Sequence, residues 1–228
     1  LLGSVYGTNM AEFGYSKLNA RTASVLYINQ DNGIGYKQGF IEKFEELGGR
    51  IVSEESYEPG TTDFRTHLSK IKEKNPDVFF LAGQEAELAV KQTRELGIKA
   101  QILGPTTLET SDMVRIAENA AEGIIYTTPT FDPEDKSERV QEYLRKYKEK
   151  YGDISEYRAA NAYDAVYIIA LMIEKCGSER NTECIRDELY KVENYPGVSG
   201  NITFDENGDV IKPTMIKTIR NGQFVKYE

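Results

Sequence analysis

Between residues 24 and 127 the chain alternates two hydrophobic patterns. Short β-rich runs, "SVLYIN" (24–29), "RIVSEESY" (50–57), "PDVFFLAG" (76–83), "AQILG" (100–104) and "EGIIYTT" (122–128), read as strands. The stretches between them carry apolar residues at helical spacing. Tyr36, Phe40, Phe44 and Leu47 share one face, and Gly48-Gly49 ends that pattern. Phe64, Leu68 and Ile71 share another, with Asp63 or Thr62 placed to cap it, and a further helix over about 85–96 stops at Gly97. Strands alternating with helices of this length predict crossover units: an α/β fold with a parallel, doubly wound sheet and helices on both faces. Strands that are nearly continuous in apolar residues fit a sheet covered on both sides.

Beyond Pro129 the pattern changes. Val140, Leu144, Tyr147 and Tyr151 mark one face of a helix over 136–151. Residues 157–176 predict a long apolar helix and 182–192 a third, three helices with no strand of their own to cover. β character returns in "NITFDENGDVIKPTMIKTIRNGQFVKYE", where Asn207-Gly208 and Asn221-Gly222 read as tight turns. The expected organisation is a sheet-based lobe of residues 1–128 and 209–228, interrupted by a helix-rich segment, 129–208.

The charge balance changes the range of partners. With 28 basic and 37 acidic residues the net charge is −9, which argues against nucleic acid or an anionic membrane surface as the main partner. No apolar run approaches the roughly 20 residues that span a bilayer, and "LLGSVYGTNM" has no basic region leading into a long apolar one. Cys176 and Cys184 stand eight positions apart across a turn-like segment, far from the single histidine, His67, so they do not build a zinc site. They read either as a short-range disulfide, worth roughly 2 to 3 kcal/mol and implying an oxidising compartment, or as two reduced, buried thiols.

In a parallel sheet, ligands bind beyond the carboxyl ends of the strands. Those ends are "QDNGIG", "EPGTTD", "AGQEAE" and "GPTTLE", which nominate Asn32, Gly33, Gln84, Glu85, Thr106 and Thr107 as ligand-binding residues. The glycines of "GIGYKQG" do not make a nucleotide loop: the third comes one residue too late for a dinucleotide fingerprint and falls inside a helical turn. Nor does a lysine with a hydroxyl follow, as a phosphate loop requires. Backbone N–H groups and the Asn32 amide remain, and they suit a small polar or zwitterionic ligand. His67 falls mid-helix, no serine lies in a nucleophile elbow, and neither cysteine has a base beside it. The residues therefore point to a binding module without metal or cofactor rather than to an enzyme, with Asp31, Glu85 and Glu109 on its ligand side.

The stretch "VLYINQDNGIGYKQGFIEKFEELGGRIVSEESYEPGTTDFRTHLSKIKEKNPDVFFLAG" resembles the second lobe of the type I periplasmic binding proteins, in particular the Leu/Ile/Val-binding receptors of ABC transporters. The similarity continues in order through "KQTRELGIKAQILG", "AAEGIIYTTP", "AYDAVYIIALMIEKCGS" and "GVSGNITFDENGDVIKP". The resemblance implies a periplasmic or extracellular receptor that closes two lobes over an amino acid or similar solute and delivers it to a membrane permease. A ligand-sensing domain of a signalling receptor is the alternative the same fold allows. Carried over, the second lobe's contacts fall on Asn32, on Gln84 or Glu85, and on Thr106. Relatives often place an aromatic ring where this chain has Asn32, and some place a glutamate where it has Thr106, so the solute is less defined than the family.

The resemblance also implies a C-terminal fragment, because two ordinary lobes need more than 228 residues. In the family the helices matching 130–200 pack on the first lobe. Without it the face carrying Tyr163, Val166, Tyr167 and Ala170 would be uncovered, which predicts association or instability, and a fragment that cannot close around a solute is expected to bind it weakly or not at all.

Overall fold

Phe79 and Phe80 are adjacent, and both are completely buried. Successive strand residues point to opposite sheet faces, so a sheet holding this pair is covered on both sides. A computed structural model, describing residues 2–228, shows how. The chain runs α1 (Gly3–Ser16), β1 (Thr22–Ile28), α2 (Asp31–Glu46), β2 (Arg50–Tyr57), α3 (Arg65–Lys74), β3 (Val78–Ala82), α4 (Glu87–Glu95), β4 (Gln101–Gly104), α5 (Ser111–Ala117) and β5 (Ile125–Pro129). It continues through α6 (Glu138–Tyr151), α7 (Tyr157–Cys176), α8 (Thr182–Leu189), β6 (Tyr195–Gly197), β7 (Gly200–Phe204) and β8 (Val210–Ile211), and ends with β9 (Thr214–Arg220) and β10 (Gln223–Lys226). It divides into two compact units, residues 2–128 with 215–228, and residues 129–214. The boundary expected at 208/209 falls between β7 and β8, which pair antiparallel within the smaller unit.

The larger unit is built on a seven-stranded sheet of order β10-β9-β5-β4-β3-β1-β2. Strands β1 to β5 pair in parallel, and β9 and β10 form an antiparallel hairpin. On one face Leu26, Phe79, Leu81, Ile102 and Tyr126 pack with Leu68 and Ile71 of α3, Ala89 and Val90 of α4, and Met113 of α5. On the other, the Phe40 ring of α2 stacks on Phe80 with centroids 4.2 Å apart. The Asn221-Gly222 turn closes the hairpin with φ of +51° and +69°, the geometry its strand twist requires.

Helix α1 is absent from the sequence expectations, and its three glycines explain why it leaves no strong helical pattern. Those glycines serve packing. A Cβ at Gly7 would fall on the Tyr36 carbonyl and one at Gly39 on the Ser4 carbonyl, so α1 and α2 cross with their backbones in contact. Leu47, expected on the buried face, is the half-exposed residue that ends α2. Asp63 does bond the start of α3, accepting from the Arg65 N–H at 3.1 Å, but Phe64 occupies the cap position.

In the smaller unit the helices do have strands to cover, which corrects the sequence expectation. The three-stranded sheet β6-β7-β8 supplies Ile202, with Tyr195, Phe204 and Val210, against Ile168 and Met172 of α7 and Ile185 and Leu189 of α8. β6 is a Tyr-Pro-Gly segment, which no strand pattern would reveal. On α6, Val140 and Tyr143 are the buried residues, whereas the expected Tyr151 is 60% exposed. Cys176 and Cys184 form a disulfide that ties the end of α7 to the first turn of α8, with Cα atoms 5.9 Å apart. Val166, Tyr167, Ile169 and Leu171 stand exposed along α7. Among the described residues no helix is long and apolar enough to cross a membrane.

Candidate functional site

Strands β2, β1, β3, β4 and β5 lie in that spatial order, so the direction of winding reverses between β1 and β3. In open sheets of this kind the crevice at the carboxyl ends beside the reversal is where ligands bind. The connections after β1 and β3 flank it, and they contain Asn32, Gly33, Gln84 and Glu85.

After β1 the chain needs just Asn29 and Gln30 before α2 begins, so "QDNGIG" is no glycine loop. It is the first turn and a half of a helix. The correction has a steric cause: a Cβ at Gly33 would collide with the Ile28 carbonyl, so glycine lets the helix start directly against the strand end. Gly33 donates its N–H to the Asn32 Oδ1 at 2.8 Å, occupying one of the orphan donors of the first turn. The half-buried Asn32 keeps its amide NH2 as the group it offers outward.

The connections after β2 and β3 are bonded together. The buried Tyr57, last residue of β2, donates its hydroxyl to the Gln84 carbonyl at 2.7 Å. Gly83 makes room for it, since a Cβ there would strike the Tyr57 hydroxyl. Burial, then the Glu85 and Glu87 carboxylates, push the Tyr57 phenol well above its ordinary range, so it remains a donor. Glu85 accepts from the Gly60 N–H at 2.8 Å and sits at φ +56°, a left-handed conformation that a non-glycine residue adopts at a cost. Asn29 donates to Glu58 at 2.7 Å. Gln84 and Glu85 thus form one bonded rim with Tyr57, Glu58 and Gly60, while the Gln84 side chain is exposed.

At the end of β4 a short 3-10 turn, Thr106–Leu108, carries the other two predicted residues. The buried Thr106 hydroxyl lies 3.2 Å from that of Thr128 on β5. Thr107 is half-buried, with its hydroxyl oxygen unbonded. Behind them Glu109 is paired with Lys217 of β9, and Thr110 caps α5 by accepting from the Met113 N–H at 3.0 Å. Sequence reasoning passed over Tyr57 and Thr128 because it took strand residues as core, and over Glu58 because it nominated no residue from "EPGTTD". Tyr57 is the last residue of β2 and Thr128 the last but one of β5, and position at the carboxyl end of a strand was the available signal.

His67 lies half-buried within α3, and its Nδ1 has no hydrogen-bond partner among the described residues. Among the described residues no three His, Cys, Asp or Glu side chains gather as metal ligands.

A doubly wound sheet with polar connections at its switch point has the layout in which open α/β sheets take ligands. The chain belongs to the periplasmic binding protein family, which it matches over residues 3–223. It is 28% identical over its whole length to the leucine-, isoleucine-, valine-, threonine- and alanine-binding protein of Pseudomonas aeruginosa, of which it covers 58%. The leucine-binding protein LivK of Thermotoga maritima is 33% identical, superimposes with a TM-score of 0.91 over 99% of this chain, and is covered to 65%. The isoleucine complex of LivJ from Streptococcus pneumoniae is 29% identical with a TM-score of 0.82, over 97% of this chain and 63% of that one. The chain spans little more than half the length of the curated relatives it matches. The family is one of solute-binding proteins rather than enzymes.

Proposed function

We propose that this chain is the solute-binding part of an extracytoplasmic receptor of an ABC transporter, which takes up an amino acid or related small polar solute and presents it to a membrane permease. The observation that carries the reading is the switch-point crevice, where the connections after β1, β3 and β4 bring Asn32, Gly33, Gln84, Glu85, Thr106 and Thr107 to the carboxyl ends of the sheet. The names of the Pseudomonas and Thermotoga relatives support an aliphatic amino acid as the solute. Charge supports an ammonium group on it. The quoted end segments carry Asp31, Glu58, Asp63, Glu85, Glu87 and Glu109 and no basic residue; Lys217 pairs with Glu109 and Arg65 with Asp63, and the other four add negative charge. A disulfide in the smaller unit fits an oxidising compartment outside the cytoplasm. The larger unit is then the ligand-binding lobe, and the exposed α7 face is the surface through which copies of the chain associate.

Binding by closure draws its affinity from contacts made in the closed form, so one lobe's contacts alone give weak binding. Amide chemical shifts detect it. Titrating isotope-labelled protein with isoleucine is expected to move the amides of residues 31–35, 83–86 and 106–107, with benzoate, an anion lacking the ammonium, moving them far less. Shifts confined to other regions, or an equal response to benzoate, would overturn the reading.

A further inference from the structure

The chain enters the smaller unit just after β5 and leaves it just before β9, and these two segments are tied to each other. Thr130 donates both its backbone N–H and its hydroxyl to the Pro213 carbonyl, at 3.1 and 2.9 Å. The residue preceding Pro213 is Lys212, which is 8% exposed and donates its amine to the Asn161 Oδ1 of α7 at 2.5 Å. One turn further along α7, the 1% exposed Asp164 accepts from the N–H groups of Val198 and Ser199, both at 2.8 Å, and from the Ser199 hydroxyl. Glycines make the convergence possible. A Cβ at Gly197 would collide with the Asp164 carboxylate, and Gly200, beside Lys212 and Thr130, turns the chain at φ +100°, a conformation that side-chain-bearing residues rarely adopt. Four segments, at 130, 161–164, 197–200 and 212–213, therefore meet at one polar cluster, in which Asp164, Ser199 and Lys212 are buried and the Thr130–Pro213 tie lies at the surface.

We propose that Lys212 is a protonation-sensitive latch, which grips Asn161 as a neutral amine and strains against its buried position as an ammonium, thereby controlling how readily the segments at Thr130 and Pro213 come apart. The bonds explain why. The direct partner of the buried amine is a neutral amide, and the oxygens of Asp164 already hold three donors. Asp164 is the charged group facing Lys212 from α7; Gly200 and Thr130, from the other two segments, bring none. Burial accordingly dominates and brings the amine down to about 8, with Asp164 opposing. The sign follows: between about pH 8 and the ordinary lysine range the folded chain has released a proton that the unfolded chain keeps, so stability rises with pH across that window. Below pH 8 the ammonium is drawn toward water and the latch loosens.

Hydrogen exchange read by mass spectrometry on peptides spanning 129–131 and 210–214, corrected for chemical exchange rates, tests this at pH 6.5 and 9.0. The opening equilibrium is expected to fall by about tenfold or more on going to the higher pH, a shift of one or two protonation units. In Lys212→Met it is expected to be independent of pH, with peptides of the seven-stranded sheet unchanged in both proteins. The same pH response in Lys212→Met as in the parent, or no response in the parent, would overturn the proposal. Should that variant not fold, the parent's own Lys212 Cε shift decides: titration near 8 supports the latch and titration near 10.5 refutes it.

Discussion

The two units of this chain are stabilised by different means. In the larger, adjacent residues such as Phe79 and Phe80 face opposite sides of one sheet and both are sealed, by α3 to α5 on one side and α1 with α2 on the other. In the smaller, the apolar contacts split into two modest clusters, one around Val140, Tyr143 and Ala160 and one around Ile168, Met172 and Ile202. Its remaining order comes from the buried Asp164 carboxylate, the Lys212 amine, a disulfide, and a run of tyrosines. Tyr143 packs on Tyr163 at 4.7 Å and Tyr163 on Tyr167 at 4.5 Å. A double-sided sheet gains stability through area, which is cooperative and insensitive to pH. Polar hubs and cross-links gain it through specific bonds, which conditions can remove.

The comparison is tested most severely by truncating the larger unit's core. Phe80→Ala removes the ring that stacks on Phe40 in a layer closed on every side, and a loss of about 3 to 5 kcal/mol is expected by chemical denaturation. A loss below about 1 kcal/mol would mean that α2 follows the cavity inward and that the sheet's covering is less rigid than its packing implies. Next in size is the disulfide of the smaller unit. It closes a ring of few residues, so reducing it, or replacing both cysteines by serine, is expected to cost roughly 2 to 3 kcal/mol. If the units differ as described, that loss appears in the unfolding of residues 129–214, followed by the exchange of α7 and α8 amides, and leaves the seven-stranded sheet's amides untouched. A uniform loss across both units would show that they unfold as one.

The same difference explains what the sequence could reveal. β1 to β5 lie within about two or three residues of the expected runs because double-sided burial forces near-continuous apolar composition on each strand. α7 was equally plain from its length. Helix α1 escaped because Gly7 sits against the α2 backbone and Gly14 against the Leu103 side chain, so close approach, not apolar periodicity, makes the fit. β6 escaped because Pro196 and Gly197 break any strand pattern around Tyr195, and the chain just after it is held by the Val198 and Ser199 N–H groups on Asp164. At the candidate site, the carboxyl-end rule reached Gln84 and Glu85 because it depends on topology alone. It could not reveal that "QDNGIG" would be helix, since that rests on how closely Gly33 approaches Ile28, nor that Tyr57 would turn its hydroxyl to the Gln84 carbonyl.

The smallest expected effect concerns that hydroxyl, and it asks whether the larger unit uses polar bonds at its rim as the smaller unit does at its centre. Tyr57 contributes its ring to the apolar cluster beside Phe64, with centroids 5.1 Å apart, and its hydroxyl to the connection carrying Gln84 and Glu85. Tyr57→Phe keeps the ring and deletes the bond. A single neutral hydrogen bond at the edge of a packed core is worth about 1 kcal/mol, so the denaturation midpoint should move slightly while the sheet remains intact. The local consequence is larger than the global one: Glu85, held at positive φ, loses the neighbour bond that fixes its loop, and exchange at residues 84–86 should quicken. A loss above about 3 kcal/mol would show that the rim network is part of the core and would erase the distinction between the units. A midpoint unchanged together with unchanged exchange would show that water replaces the hydroxyl, leaving the crevice shaped by the sheet alone.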